Sequence, residues 1–285
     1  MLALGLIAAL VASALFNVGM ALQALEARKA PRSLALTGSL LLRLLRRPLW
    51  LLGSALGVLG IAPQVLALNE APFVVVQTAL AGGLLILLWL GFRTLGEHVG
   101  WPEIAGVGAM IGGIGFVAWG APPHVETHRH GLAVILVATG LCAGALLPWA
   151  LRGTRLGTPL TMILASGFGF AASNVATKLA SDDFGLGHLV NAFAWSAVTV
   201  VAGIVAVLAQ MSAFQLRRAT VVIPVSFGVQ TFLPIVLEPL FLRERLSSIA
   251  LDGVPIALGL GLLLAGTVLV ARNEGVAELA AGAQS

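Results

Sequence analysis

The chain has 285 residues, 59% of them hydrophobic and 10% charged, with a mean hydropathy of +1.01. Soluble domains carry about a quarter charged residues, so that class is excluded. The formal net charge is +4, but the basic residues sit in alternate loops rather than on one soluble face. That pattern argues against a nucleic-acid partner and for positive-inside topology in a membrane.

Apolar runs of about 20 residues match the hydrocarbon thickness of a bilayer. They predict an all-α fold, a polytopic membrane helix bundle with about nine transmembrane helices in a single membrane domain, 1–285. The spans fall near 1–24, 49–69, 72–92, 101–120, 131–151, 158–178, 188–210, 219–241 and 250–271. The first run, MLALGLIAALVASALF, has no basic leader and is followed by Arg28, Lys29 and Arg32. That charge order predicts a retained span with its N-terminus outside, not a secretory signal. Segment 34–47 is too short and too basic to span. It is expected to lie as an amphipathic helix at the cytoplasmic surface, leucines inward and Arg43, Arg46 and Arg47 toward headgroups.

On this topology twelve basic residues face the cytoplasm: Arg28, Lys29, Arg32, Arg43, Arg46, Arg47, Arg93, Arg152, Arg155, Arg217, Arg218 and Arg272. Only Arg129, Lys178, Arg243 and Arg245 face outward. The asymmetry predicts a multi-pass protein of the cell membrane, inner or plasma, with a cytoplasmic C-terminus and a loose tail at 273–285. Trp50, Trp89, Trp101, Trp119 and Trp149 fall near span ends, as an interfacial belt requires, and Trp195 lies deeper. Gly53-x-x-x-Gly57 and Gly108-x-x-x-Gly112 are expected to let helices approach closely, within the monomer in preference to a homodimer face. The single cysteine, Cys142, excludes an intramolecular disulfide.

The span from Ala219 to Arg245 carries Pro224, Pro234 and Pro239 together with Glu238. Each proline removes a backbone donor, so an interrupted span is expected, tolerable only where protein or water satisfies the freed carbonyls. Ala71–Glu97 resembles Ala219–Glu244, and each is followed by a glycine-rich span. Upstream, FNVGMALQAL pairs with ASNVATKLAS and sets Asn17 against Asn174. Spans one to four then match six to nine. An offset of five crossings inverts one half relative to the other. The expectation is a 4+1+4 inverted-topology repeat, with the first repeat in 1–120, a connector at 131–151 and the second repeat in 158–272. Halves of this kind enclose a site near the midplane and rock to alternate its access.

With these residues in hand, the chain resembles the drug/metabolite transporter superfamily, EamA-like, and most closely its NIPA-like magnesium transporter branch. The resemblance rests on the asparagine-bearing first and sixth spans, on Gly96-Glu97, and on LVNAFAW, AFQLRRATVVIPVSF and LEPLFLRE. It implies a secondary transporter or a cation permease, with Mg²⁺ as the specific substrate.

Polar residues inside spans cost free energy unless they have a partner or a task. Asn17, Gln64, Gln77, Asn174, Gln230 and Glu238 are therefore the candidates for a substrate or ion pathway, with Gln230, between two prolines, foremost. For Asn17 and Asn174 the alternative is interhelical hydrogen bonding. Glu238 could be buried and functional, or interfacial beside Arg243 and Arg245. Glu70, Asp182, Asp183 and Asp252 join other acids on the outer side, where they would form a cation-attracting vestibule or simply reflect topology. Lys178 is read as snorkelling or pairing with Asp182. His124, His128 and His130 are read as a solvated loop, and no metal ligands are assigned.

No P-loop, G-x-S-x-G or H-E-x-x-H motif occurs, so neither an enzyme nor a bound cofactor is expected. The expected function is transport of a small solute or cation by alternating access. A flippase for a lipid-linked intermediate and a non-transporting subunit of a membrane complex are the alternatives.

Overall fold

A bilayer offers the backbone no water, so each apolar run must close its own hydrogen bonds as a helix. The computed structural model describes residues 2–120, 131–154, 157–241 and 253–282, without side chains at 73–74, 238–241 and 273–282. Every regular element within them is helical. In chain order these are α1 (Leu2–Arg28), a 3₁₀ turn at Arg32–Leu34, α2 (Gly38–Leu44), α3 (Pro48–Leu59), α4 (Ile61–Glu70), α5 (Phe73–Thr94) and α6 (Trp101–Gly120). Then come α7 (Gly131–Ala145), α8 (Leu147–Ala150), α9 (Pro159–Gly185), α10 (Leu189–Phe214), α11 (Ala219–Phe241) and α12 (Val254–Gly282).

Among the described residues, eight stretches are long and apolar enough to cross a membrane: α1, α3 with α4 as Pro48–Glu70, α5, α6, α9, α10, α11 and α12. This is a multi-pass membrane protein. The expected fifth span, 131–151, is divided. Its first part, α7, has 15 residues, about 22 Å at 1.5 Å per residue and short of a roughly 30 Å core. The chain turns at Leu146 and resumes as α8, with Pro148 in its first turn. Segment 34–47 forms the short helix α2, with Leu40 and Leu44 buried and Arg43 and Arg46 exposed.

Two expectations are corrected. First, α11 is one continuous helix through all three prolines. A proline inside a helix deletes only its own bond to the carbonyl four residues back. Neighbouring helices hold the rest of α11, and its first turns are buried from Ala219 to Ser226. Second, Gly108 and Gly112 do not mediate close packing among the described residues, since a Cβ added at either meets none of them within 4 Å. The glycines of α6 that pack against α12 are Gly106, Gly113 and Gly120, on the opposite face. A Cβ at Gly113 would stand 2.6 Å from the Gly259 carbonyl oxygen, and one at Gly259 would stand 2.5 Å from that of Gly113. Gly106 and Gly266 meet reciprocally in the same way. Numbers rise along one helix as they fall along the other, so α6 and α12 are antiparallel. On α3, Gly53 does approach a neighbour, reaching the Gly19 carbonyl of α1.

Matched pairs also fix other directions. Gly5 meets Ala71, Ser13 meets Leu80 and Arg28 meets Glu97, so α1 and α5 are parallel. Ser173 meets Thr199 and Gly169 meets Ala206, so α9 and α10 are antiparallel.

Among the described residues, apolar packing divides into three clusters. The largest draws on α1 (Ala24, Ala27), α5 (Ala81 to Leu88), α6, α10, α11 (Ala219 to Val225) and α12. It therefore joins the first and second parts of the chain. Beyond it the core splits. One cluster holds Ala8, Ala9, Ala67, Ala71 and Val76 of α1, α4 and α5. The other holds residues of α7, α9 and α10, with Leu233 and Leu237 of α11 against them.

Candidate functional site

The joined end of the bundle is the basic end. Arg28, Lys29 and Arg47 meet acids there, Arg218 starts α11 there, and Arg32 lies beside Arg152. Here three carboxylates are buried that the sequence reading left unassigned: Glu26, Glu97 and Glu103. Glu26 pairs with Lys29 at 2.6 Å and with Arg47 at 3.9 Å.

Glu97 follows α5. Gly96, at φ +63, makes the left-handed turn that ends α5 and aims Glu97 inward. Its Oε1 accepts the Ala219 N–H at 2.7 Å and its Oε2 accepts the Thr220 N–H at 2.8 Å, while Arg28 supplies an ion pair. A carboxylate on the first N–H groups of a helix satisfies orphan donors and the positive end of the helix dipole. Glu103, in the first turn of α6, accepts the Gly100 N–H at 3.0 Å and faces Arg218 at 3.3 Å. Arg218 also donates to the His98 carbonyl. Together these contacts tie the α5–α6 loop to the start of α11. Gly91 lets α5 and α11 close up at the same level, against Thr220.

Above this closure stand three of the expected pathway residues. Residues spaced by three, four or seven along a helix share a face. Gln77 shares its face with Ala81, Leu84 and Leu88 of the joined core, and Gln230 shares its face with Ile223 and Phe227. Asn17 shares its face with Met20, Ala24 and Ala27. Each stands about one turn beyond the joined core, on α5, α11 and α1. Gln77 and Gln230 are half-buried, and their side-chain amides have no hydrogen-bond partner among the described residues. Asn17 is buried and donates to the Ser13 carbonyl at 2.8 Å. A Cβ at Gly83 of α5 would strike Ser13 and Asn17, so these two fit into the notch that the glycine leaves. This is interhelical packing as much as a pathway.

A register not seen in the sequence emerges from the reciprocal glycines. Gly106, Gly108 and Gly113 match Gly259, Gly261 and Gly266 at one constant spacing, and so do Pro102 with Pro255 and Val76-Gln77-Thr78 with Val229-Gln230-Thr231. The two glutamines share this spacing. Aligning the spans by their small first residues, Ala71 and Ala219, hides this correspondence by five residues. They differ in one respect. Pro234 deletes the bond to the Gln230 carbonyl, so α11 presents a freed backbone acceptor beside the Gln230 amide, and α5 has no proline at that place.

The other expected residues scatter. Asn174 is exposed, on the α9 face of Ile163, Gly167 and Phe170, about 16 Å beyond Ile163 at 1.5 Å per residue. It therefore shares direction but not depth with Asn17. Gln64 is half-buried on α4, apart from the other candidates. Glu70 ends α4 and Asp182 lies near the end of α9, both half-buried. Asp183 is buried and faces His188 at 3.5 Å, so it belongs to a loop contact and not to an open vestibule. Trp50 is likewise not part of a belt. It is buried and donates to the Met211 sulfur at 3.4 Å. The position of Glu238 falls within α11, but its side chain, Asp252 and the histidines at 124, 128 and 130 lie outside the described residues. No group of three or more His, Cys, Asp or Glu among the described residues could hold a metal ion.

Comparison with protein-family models, with curated proteins and with solved structures finds no match for this chain.

Proposed function

We propose that the protein is a secondary transporter of the drug/metabolite type, a 4+1+4 inverted repeat that moves a small solute or cation by alternating access. The observation that carries this reading is the divided core: one apolar cluster joins both parts of the chain at the basic end, and two separate clusters lie beyond it. A bundle that rocks about a central site has this form in the state closed at one end. The matched VQT segments and the reciprocal α6–α12 glycines support the repeat, because a pseudo-two-fold axis in the membrane plane relates such pairs.

By the positive-inside tendency the joined end faces the cytoplasm, the conformation is open outward, and the N-terminus is outside. The substrate then enters from outside and reaches Gln77, Gln230 and the freed Gln230 carbonyl. Amide and carbonyl oxygens suit a polar solute, or a cation that keeps part of its water shell. Mg²⁺ retains several waters and needs only one or two direct ligands, so it is the first ion to test.

The test is uptake into liposomes holding the purified protein, first with Mg²⁺ and then with a panel of small polar solutes. One substrate should accumulate, and Gln77→Ala and Gln230→Ala should each lower its uptake while the thermal midpoint stays within a few degrees of wild type. Uptake unchanged in both variants removes the amides from the pathway. No uptake of any substrate across the panel favours the non-transporting subunit.

A further inference from the structure

At the basic end, away from the amides, a cavity of about 190 Å³ opens between the 3₁₀ turn Arg32–Leu34 and the start of α9. One water needs about 10–15 Å³, so the space admits a much larger group. Arg32, Ser33, Leu36, Arg152, Thr161 and Met162 are among the residues that line it. We propose that this cavity binds a phosphate-bearing anion, supplied either by the headgroup of an anionic phospholipid or as inorganic phosphate.

Charge and geometry both point to that chemistry. Arg32 and Arg152 line one space from different elements, and among the described residues no carboxylate lines it and neither arginine has an ion pair. Two guanidiniums on the lining of one cavity suit the planar, bidentate recognition of phosphate oxygens. Helix α9 has 27 residues and begins at Pro159, between lining residues Gly157 and Thr161. Its positive dipole end therefore reinforces the arginines.

The lining residue Leu36 is held in place. It has φ 59, a left-handed conformation that residues other than glycine rarely adopt. Two bonds from other elements fix it there. Its N–H donates to the Ser212 hydroxyl of α10 at 2.8 Å, and its carbonyl accepts the Trp149 indole N–H of α8 at 2.8 Å. Nearby, α2 and the residue after it expose Leu42 and Leu45 beside Arg43 and Arg46. That mixture belongs at headgroup depth, where basic pockets meet anionic lipids. The inference does not depend on the transport reading.

The experiment uses the full-length protein in nanodiscs of phosphatidylcholine alone, of phosphatidylcholine with phosphatidylglycerol, and of phosphatidylcholine with inorganic phosphate added. Thermal midpoints are read for wild type, Arg32→Gln/Arg152→Gln, Ser33→Glu, and Arg43→Gln/Arg46→Gln. The wild-type midpoint should rise with at least one anion. A rise with phosphate identifies the free anion as a sufficient ligand, and a rise with phosphatidylglycerol alone identifies the lipid. The rise should be at least halved in Arg32→Gln/Arg152→Gln and in Ser33→Glu, and retained in Arg43→Gln/Arg46→Gln. The midpoint in phosphatidylcholine alone reports whether each variant is folded. Equal rises in wild type and both cavity variants overturn the site, as does a wild type that responds to neither anion.

Discussion

Gln77 and Gln230 occupy matched places on α5 and α11, yet only Gln230 has a backbone acceptor freed by a proline four residues on. The two amides should therefore contribute unequally. A neutral hydrogen bond contributes about 1 kcal/mol net, so Gln77→Ala should raise the apparent KM about fivefold and Gln230→Ala should do so at least as strongly. Pro234→Ala separates the backbone from the side chain. It restores an intrahelical bond, so the thermal midpoint should rise while uptake falls. A variant that is both more stable and fully active would show that the freed carbonyl has no role. Both glutamines were visible in the sequence, because an amide in an apolar run stands out. Glu97 and Glu103 were not visible, since they lie in a loop and a first turn, where acids are ordinarily solvated; only tertiary contact with Arg28, Arg218 and the start of α11 buries them. Asp183 erred in the other direction, turning inward to His188 where the sequence suggested an open mouth.

Helix packing at α6–α12 depends on four glycines whose backbones touch. Apolar side chains gain little from leaving lipid for one another, so backbone approach and van der Waals contact hold such a pair. Gly113→Val would drive its side chain into the Gly259 carbonyl and Leu263, and overpacking of this kind costs about 1–3 kcal/mol or more. The thermal midpoint of Gly113→Val in detergent should fall by several degrees. Gly108→Ala, which meets nothing within 4 Å, should leave the midpoint unchanged or raise it. Equal losses from both variants would mean that helix propensity, not the contact, sets the result. The sequence announced that α6 was glycine-rich but favoured the wrong pair, because spacing by four marks a face without saying which face meets a neighbour. The long helices, by contrast, were legible in place and order from hydropathy alone, but α9 runs on to Gly185 and α12 to Gly282, past the expected ends at 178 and 271 and into the segment expected to be loose. The short α7–α8 break was not, since 131–151 is apolar throughout and only Pro148 hints at a turn.

At the scale of the molecule, the closure proposed for the basic end has two parts: an apolar core shared by both parts of the chain, and Glu97 seated on the first N–H groups of α11. Glu97 is buried but Arg28 is 27% exposed, so removing the Glu97 charge costs less than the roughly 3–5 kcal/mol of a fully buried pair. Glu97→Gln should therefore shift the population toward a state open at this end, since the cost falls on the closed state alone. In a Cys142→Ser background, a cysteine placed at the buried Val222 should then react with a soluble maleimide faster than it does beside an intact Glu97. A direct lock tests the same motion from the other side. A Cβ built at Gly91 lies 3.7 Å from the Thr220 Cβ, close to the roughly 3.8 Å typical of a disulfide. Thr220→Cys also removes the methyl group that a side chain at position 91 would otherwise strike. Oxidised Gly91→Cys/Thr220→Cys protein should bind substrate from one side only and transport none, and reduction should restore turnover. If the oxidised protein transports as fast as the reduced one, α5 and α11 do not separate at this end, and alternation by parting these helices is excluded.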